Sequence, residues 1–309
     1  MSRNNTAVSV DQLTRAFGDF IAVDHINLAV MEGEIFGFLG PNGAGKSTTI
    51  KMLCGILAPT SGRALVGGFD VARESRRIRE IIGYMSQKFS LYEDLRVEEN
   101  LEFFGGVQNL NSARLRERKI WALEVANLAN SRKELAKNLS GGLRQRLGLA
   151  CAMIHEPRIL FLDEPTAGVD PTARRDFWEL IYRLSNQGVT VFVSTHYMDE
   201  AEHCDRLALI DRGKLVASGS PRELKTEAMR NTVLELEPSD LMRMMELAAE
   251  IPSILDATLF GNKLHVMTRD PSQSRQELEL RAREAGVDLH SVQVIAPSLE
   301  DVFVSVLEG

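Results

Sequence analysis

Long apolar runs are missing from this 309-residue chain: no uninterrupted stretch approaches the ~20 residues that a bilayer-crossing helix needs. The opening Met1-Ser2-Arg3-Asn4-Asn5-Thr6 lacks an apolar signal core as well, so no secretory leader is expected. Cysteine is scarce. Cys54, Cys151 and Cys204 are scattered, odd in number and without a Cys-x-x-Cys pair, which excludes a disulfide framework and a structural zinc site. Each reads as a small buried apolar residue in a reducing compartment. A basic excess is absent too: 36 Lys and Arg stand against 43 Asp and Glu, a net charge of -7, which argues against a nucleic-acid binder that works by neutralising phosphates. The arginine groups at 73–79 and 114–119 are interleaved with Glu74, Glu80 and Glu117 and read as solvated helix faces.

What the chain does have is two anion cradles. Gly40-Pro41-Asn42-Gly43-Ala44-Gly45-Lys46-Ser47, followed by Thr48, matches G-x-x-x-x-G-K-[ST] and comes directly after the apolar run 35–39, a buried strand by composition. Backbone N–H groups of Asn42 to Thr48 would wrap phosphates, Lys46 would reach the β and γ phosphates, and Ser47 would ligand Mg²⁺. The second cradle is Leu139-Ser140-Gly141-Gly142. Ser140 is a good N-cap, and the two glycines leave N–H groups bare where a helix begins. The simplest reason for a second cradle is a nucleotide held by a second subunit.

The other candidates sit at the ends of apolar runs. Asp163 and Glu164 close 159–162; Asp163 suits the metal and Glu164 suits a general base for the attacking water. Gln87 follows an expected strand at 81–85 and His196 one at 189–193. Both would therefore lie at the carboxyl edge of a sheet, where α/β sheets bind ligands. Gln87 could ligand Mg²⁺ or the water, and His196 could hydrogen-bond the γ phosphate. Either alone is an ordinary polar loop residue.

Along the chain, strands are expected at 7–13 and 21–30, a helix at 48–57, a turn at 60–62, and a mainly helical insert over 87–138 with helices at 97–104 and 115–128. A helix around 177–184 separates two core strands, and a hairpin spans 206–217, turning at Arg212-Gly213. Beyond Pro221 the segments 232–237, 241–249, 254–260, 263–268, 274–285 and 291–295 alternate as strand, helix, strand, strand, helix, strand, the order of a small βαββαβ unit.

Phe17, Gly40 to Thr48, Gln87, Leu139 to Gly142, Ile159 to Pro165, Ala167-Gly168-Val169-Asp170 and His196, in this order, resemble the nucleotide-binding subunits of ABC transporters. The resemblance covers roughly the first 220 positions. It implies an α/β fold of the P-loop NTPase type, with a mostly parallel core sheet, an N-terminal antiparallel β part and a helical signature subdomain at about 88–150. That ATPase domain would span 1–222, with a small α+β appendage at 223–309 that is regulatory or supports a dimer. The resemblance also implies that Phe17 stacks on adenine, that Asp170 lies in a loop crossing the dimer, and that Ser140, Gly141 and Gly142 contact the γ phosphate on the opposite subunit. One residue departs from the pattern: Leu143 stands where the family usually has Gln, which puts a polar side-chain contact there in doubt. The ending Pro297-Ser298-Leu299-Glu300-Asp301-Val302-Phe303 is similar to that of ATPases serving multidrug, lipid or polysaccharide exporters, including the daunorubicin-resistance type.

The expected function is an ATP- and Mg²⁺-dependent ATPase subunit, paired as a homodimer or with another ATPase subunit. It would drive a transmembrane permease and sit peripherally on the cytoplasmic face of the cell membrane through that partner. Phe89, Leu91 and Tyr92 are candidates for docking it, with packing inside the helical insert an equal alternative. The runner-up is a soluble ABC-type ATPase acting on ribosomes or DNA, disfavoured because fused ATPase units and a long inserted coiled coil are both lacking. A GTPase switch is disfavoured too, since Asn262-Lys263-Leu264-His265 lacks the Asp of N-K-x-D.

Overall fold

The structure is a computed structural model that describes residues 6–87, 91–228 and 231–308. The chain folds as two compact units, Met1–Ser218 and Gly219–Gly309. The first begins with β1 (Thr6–Phe17), β2 (Phe20–Met31), β3 (Ile35–Leu39), α1 (Lys46–Leu53), β4 (Ser61–Val66), β5 (Phe69–Asp70), α2 (Ser75–Ile81) and β6 (Ile82–Met85). The helical insert follows with α3 (Val97–Val107), α4 (Ser112–Val125) and α5 (Gly141–Ala152). The core then resumes with β7 (Ile159–Asp163), α6 (Pro171–Asn186), β8 (Thr190–Thr195), α7 (Met198–Ala201), β9 (Arg206–Asp211) and β10 (Lys214–Gly219).

Two sheets hold the first unit together. An antiparallel sheet in the order β2-β1-β4-β5 lies beside a six-stranded sheet in the order β10-β9-β3-β8-β7-β6, whose β9, β3, β8, β7 and β6 run parallel. Strands β3, β7 and β8 are buried along their whole length, as continuous apolar composition dictates for parallel strands covered on both faces. Parallel register aligns Phe36, Phe192, Phe161 and Tyr84 across four strands, with ring centroids 5.4 Å apart for Phe36–Phe192 and 5.5 Å for Phe161–Phe192. Tilted aromatic pairs at this spacing add dispersion to their buried area and fix the register of the strands that carry the site.

Among the details that differ from the sequence reading, three have a visible local cause. The helix expected at 48–57 starts and stops earlier, because Gly45 at φ 110° opens it and Gly55 at φ 65° ends it. The turn expected at 60–62 is the start of β4. Gly62 is a point of close approach there, at φ 78° beside a register shift in the β1–β4 pairing, since a Cβ on it would lie 2.0 Å from the Gln12 carbonyl oxygen of β1. The face at 114–119 is only partly solvated: Arg118 of α4 is buried, donating from Nε to the Ile154 carbonyl at 3.1 Å and from Nη2 to the Met153 carbonyl at 3.1 Å. These carbonyls lie just past the end of α5, where helical backbone lacks its own donors. Arg118→Ala takes the donor from the Ile154 carbonyl, while the Met153 carbonyl keeps the Glu156 N–H at 3.1 Å, so it is expected to cost about 1–2 kcal/mol of stability, read as a lower midpoint of chemical denaturation.

In the second unit, α8 (Pro221–Glu223) leads to β11 (Thr232–Pro238), α9 (Leu241–Ala249), β12 (Ile254–Phe260), β13 (Lys263–Thr268), α10 (Pro271–Glu284), β14 (Leu289–Ile295) and α11 (Leu299–Glu308). The strand and helix order matches the sequence reading, and the sheet is antiparallel in the order β12-β13-β11-β14. Leu234, Leu236, Leu264 and Val266 form one apolar face against Met244, Leu247 and Ala248 of α9 and Leu278 and Ala282 of α10. The α11 helix was not foreseen as an element. Its Asp301 lies 3.0 Å from Nδ1 of the buried His265, on the sheet face opposite that core.

Candidate active site

Four loops meet at the carboxyl edge of the parallel sheet, because β3, β6, β7 and β8 all end there. The loop after β3 carries residues 40–45 and passes into α1, whose first residue is Lys46. Gly45, at φ 110°, holds its backbone where a Cβ would meet the Ala22 carbonyl oxygen at 2.5 Å; no other residue type fits.

Lys46 is only 4% exposed. Its Nζ donates to the Gly40 carbonyl at 2.7 Å and the Pro41 carbonyl at 3.1 Å, and lies 3.0 Å from Glu164 Oε1. A buried ammonium is stable only when so surrounded. Beside it, Asp163 at the end of β7 accepts from Ser47 Oγ at 3.0 Å and from Ser194 Oγ at 2.7 Å. Ser194 stands opposite Asp163 in the parallel register, which is why it meets that carboxylate. The charge of Asp163 is felt around it. Burial first and Asp163 second push the Cys54 thiol well above the ordinary range, and the same two causes, in the same order, raise the Tyr84 hydroxyl.

Glu164 sits at φ 48°, an uncommon conformation for a side chain with a Cβ, and its N–H donates to Ser194 Oγ at 3.1 Å. Its carboxylate turns inward. Gln87 Nε2 donates to Oε2 at 3.0 Å, and His196 Nδ1 lies 3.2 Å from the same oxygen without the alignment of a hydrogen bond. The structure thus brings Lys46, Ser47, Gln87, Asp163, Glu164 and His196 together, as the separate sequence motifs suggested.

A cavity of ≈ 490 Å³ runs from this cluster to the β1–β2 turn, lined by Phe17, Phe20, Ala22, Asn42, Gly43, Gly45, Lys46, Ser47, Thr48, Gln87 and Glu164. Its size suits a small-molecule ligand. Phe17 is 47% exposed, and the Arg15 guanidinium lies 4.4 Å from its ring centroid, held by a 2.9 Å bond to the Ala58 carbonyl. Phe17 and Phe20 form an aromatic end of the cavity, opposite the charged end, with the Arg15 guanidinium against the Phe17 ring.

Among the described residues, Ser140, Gly141, Gly142 and Asp170 do not line this cavity. Ser140 caps α5, its Oγ accepting from Leu143 N at 3.3 Å, and Asp170 caps α6, accepting from Ala173 N at 2.9 Å. Gly141 instead borders a second cavity of ≈ 340 Å³ with Arg144, Gln145, Ala167, Gly168, Val169, Leu91 and Gln87. Of the docking candidates, Phe89 lies outside the described residues, while Tyr92 packs 4.4 Å from the Phe103 ring within the insert.

The sequence reading did not single out Ser194, Arg15, Thr166 or Glu200, the last two buried and joined by a hydrogen bond from the Thr166 hydroxyl to Glu200 Oε1. Ser194 had a signal, a hydroxyl one residue short of the end of a buried strand. The others depend on which segments the fold brings side by side.

The described residues include no cluster of three or more His, Cys, Asp or Glu side chains able to hold a metal on their own, and no helix long and apolar enough to cross a membrane. The ABC transporter profile matches residues 23–167, and the profile described as ATP-binding protein DrrA1-3-like, C-terminal domain, matches 219–307. The "Probable multidrug ABC transporter ATP-binding protein YbhF" of Escherichia coli K12 is 54% identical over 223 residues, 72% of this chain but 39% of that protein, so the chain spans about two fifths of that relative's length. The Nod factor export ATP-binding protein I of Rhizobium sp. strain N33 is 38% identical over 304 residues, 97% of this chain and 96% of that protein. A solved structure of the ATP-binding cassette MJ0796, dimeric and bound to ADP and Pi after hydrolysis, superposes with a TM-score of 0.62 at 26% identity, covering 69% of this chain and 98% of that one.

Proposed function

This chain belongs to the ABC transporter family of ATP-binding proteins, and from that membership we propose that it binds MgATP in the Phe17–Glu164 cavity, hydrolyses it, and powers export through a separate transmembrane permease. The observation that carries the reading is the convergence of Lys46, Asp163, Glu164, Gln87 and His196 on one side of the phosphate loop. The likeness to a multidrug ABC transporter ATP-binding protein and a Nod factor export ATP-binding protein supports export. The dimeric cassette supports pairing of two subunits, identical or not, around the nucleotide. The protein then sits on the cytoplasmic face of the membrane through its partner, and residues 219–309 regulate or brace the dimer.

Each residue has a distinct task. Lys46 neutralises the β and γ phosphates, and loop N–H groups from Asn42 to Thr48 cradle them. Ser47 and Asp163 fit Mg²⁺: they are oxygen donors already 3.0 Å apart, and this hard cation takes one or two protein oxygens plus substrate phosphates. Gln87 lines the same cavity as Ser47. When bound, Mg²⁺ supplies charge neutralisation across the phosphates. Glu164 takes a proton from water as the water oxygen bonds to the γ phosphorus and the bridging bond to ADP breaks; His196 orients the γ phosphate. Ser140, Gly141, Gly142 and Asp170 act on the nucleotide of the opposite subunit.

The purified chain is expected to release phosphate from ATP in a Mg²⁺-dependent manner and to co-purify from membranes with a membrane-spanning protein. Absence of hydrolysis, or recovery with ribosomes or DNA instead, contradicts the reading. At the other end of the cavity, loss of a stacking surface costs about 1–3 kcal/mol per base. Phe17→Ala should therefore raise the KM for ATP by about 10-fold with little change in kcat. Steady-state kinetics check this; an unchanged KM removes Phe17 from the base site.

A further inference from the structure

Among the described residues, Glu200 is the most buried carboxylate that the nucleotide reading leaves unused, at 1% exposure. It lies on α7, four residues past His196. The equally buried Thr166 donates its hydroxyl to Glu200 Oε1. Arg174, on the first turns of α6, brings Nε to 3.4 Å from the same oxygen and Nη1 to 3.2 Å from Asp199 Oδ2. The Arg174 guanidinium also covers the Tyr197 ring at 4.4 Å, and that ring lies 4.1 Å from the His196 ring.

These contacts join three segments. Thr166 belongs to the turn running from Glu164 to Asp170, which is closed by Ala167 N to the Glu164 carbonyl at 3.3 Å and Val169 N to the Thr166 carbonyl at 3.1 Å. Arg174 is one turn past Asp170, its N–H donating to the Asp170 carbonyl at 2.9 Å. Residues 196–200 carry His196. We propose that Glu200 is a positioning residue that locks the Glu164–Asp170 turn and the α6 start against the His196 segment, setting the hydrolytic geometry without touching nucleotide. This inference rests on the function proposed above.

The physical reason is that Glu164 is held at positive φ, a conformation that persists only when its surroundings over-determine it. Its N–H is fixed by Ser194 on one side. Two residues further on, Thr166 supplies the second anchor, and that anchor is Glu200. Without it, Glu164 can drift relative to His196 while the phosphate loop, built on β3 and α1, stays where it is. A displacement of about 1 Å at a reacting group is enough for a loss of order 100-fold.

The test uses the full-length chain. Thr166→Val replaces the hydroxyl with a methyl group that cannot donate, and Glu200→Gln keeps the shape but removes the charge facing Arg174. Each is expected to lower kcat by about ten-fold or more, with the ATP KM and the ATP affinity in the absence of hydrolysis within about two-fold of the parent. Thr166→Ser should restore the parental kcat. The Thr166→Val, Glu200→Gln double variant should be no slower than the slower single one, because both break the same anchor. Unchanged kcat in Glu200→Gln overturns the proposal. So does a joint collapse of kcat, nucleotide affinity and denaturation midpoint, which marks a purely structural carboxylate. Absence of hydrolysis in the parent protein is a different result: it overturns the functional reading itself, and this inference with it.

Discussion

Replacing Glu164 with Gln should abolish phosphate release while leaving ATP binding intact, and should trap an ATP-dependent dimer. Gln keeps the volume of the side chain and an oxygen that can accept the Gln87 amide hydrogen. What it loses is the capacity to take a proton, a contribution of roughly 100- to 10,000-fold for a positioned general base. Lys46 also loses its ionic partner at 3.0 Å, which frees the ammonium for phosphate and so works against any loss of affinity. If ATP binds the closed pair better than the open one, blocking hydrolysis leaves the closed population standing. Size-exclusion chromatography with ATP and with ADP, alongside a phosphate assay, reads both halves of the expectation. Hydrolysis at the parental rate removes Glu164 from the role of base.

Gly141→Asp is expected to produce an equally large loss of hydrolysis by a different route. In the single chain a Cβ on Gly141 meets nothing within 4 Å, and its backbone lies in the ordinary helical range, at the first position of α5. An acidic residue there suits the helix N-terminus, so the fold should not suffer. Any penalty must come from what approaches from outside, and a γ phosphate brought by the opposite subunit meets like charge and added bulk. Hydrolysis should fall below detection while the isolated monomer binds ATP within about three-fold of the parent, a free-energy change under ~0.7 kcal/mol. An equal collapse of monomer binding means that the second cradle serves its own chain. The same change at Gly142 is uninformative, since a Cβ there would lie 2.6 Å from the Ala173 Cβ and disturb the α5–α6 packing directly.

The difference between what the sequence disclosed and what it hid follows from chain distance. The phosphate loop, Asp163-Glu164 and the Ser140 cap are each specified within a few residues, by glycines of fixed φ, a cap hydroxyl or the end of an apolar run. All were legible. The buried strands were legible for the same reason, because parallel strands covered on both faces read as continuous apolar stretches. Gly62 looked like a turn residue because glycine serves turns and close approaches alike; only the pairing of β4 with β1, at a register shift between Asp11 and Thr14, separates the two uses. Arg118 looked solvated because its neighbours in sequence are charged, whereas its partners, the Met153 and Ile154 carbonyls, come from more than thirty residues away. Glu200, Thr166 and Arg174 were hidden by the same rule: their meeting is set by how β7, α6 and α7 pack, and no local pattern announces it.

The three native thiols offer a practical handle. Cys54, Cys151 and Cys204 are all free and all buried, and burial pushes each above the ordinary thiol range, so at neutral pH they are closed to alkylating reagents on two counts, access and thiolate fraction. The folded protein is therefore expected to show no thiol reactive toward such reagents. A single cysteine placed on its surface becomes the sole site for a fluorophore or a spin label, and distances across an assembled pair can be measured without first stripping the native thiols from the core.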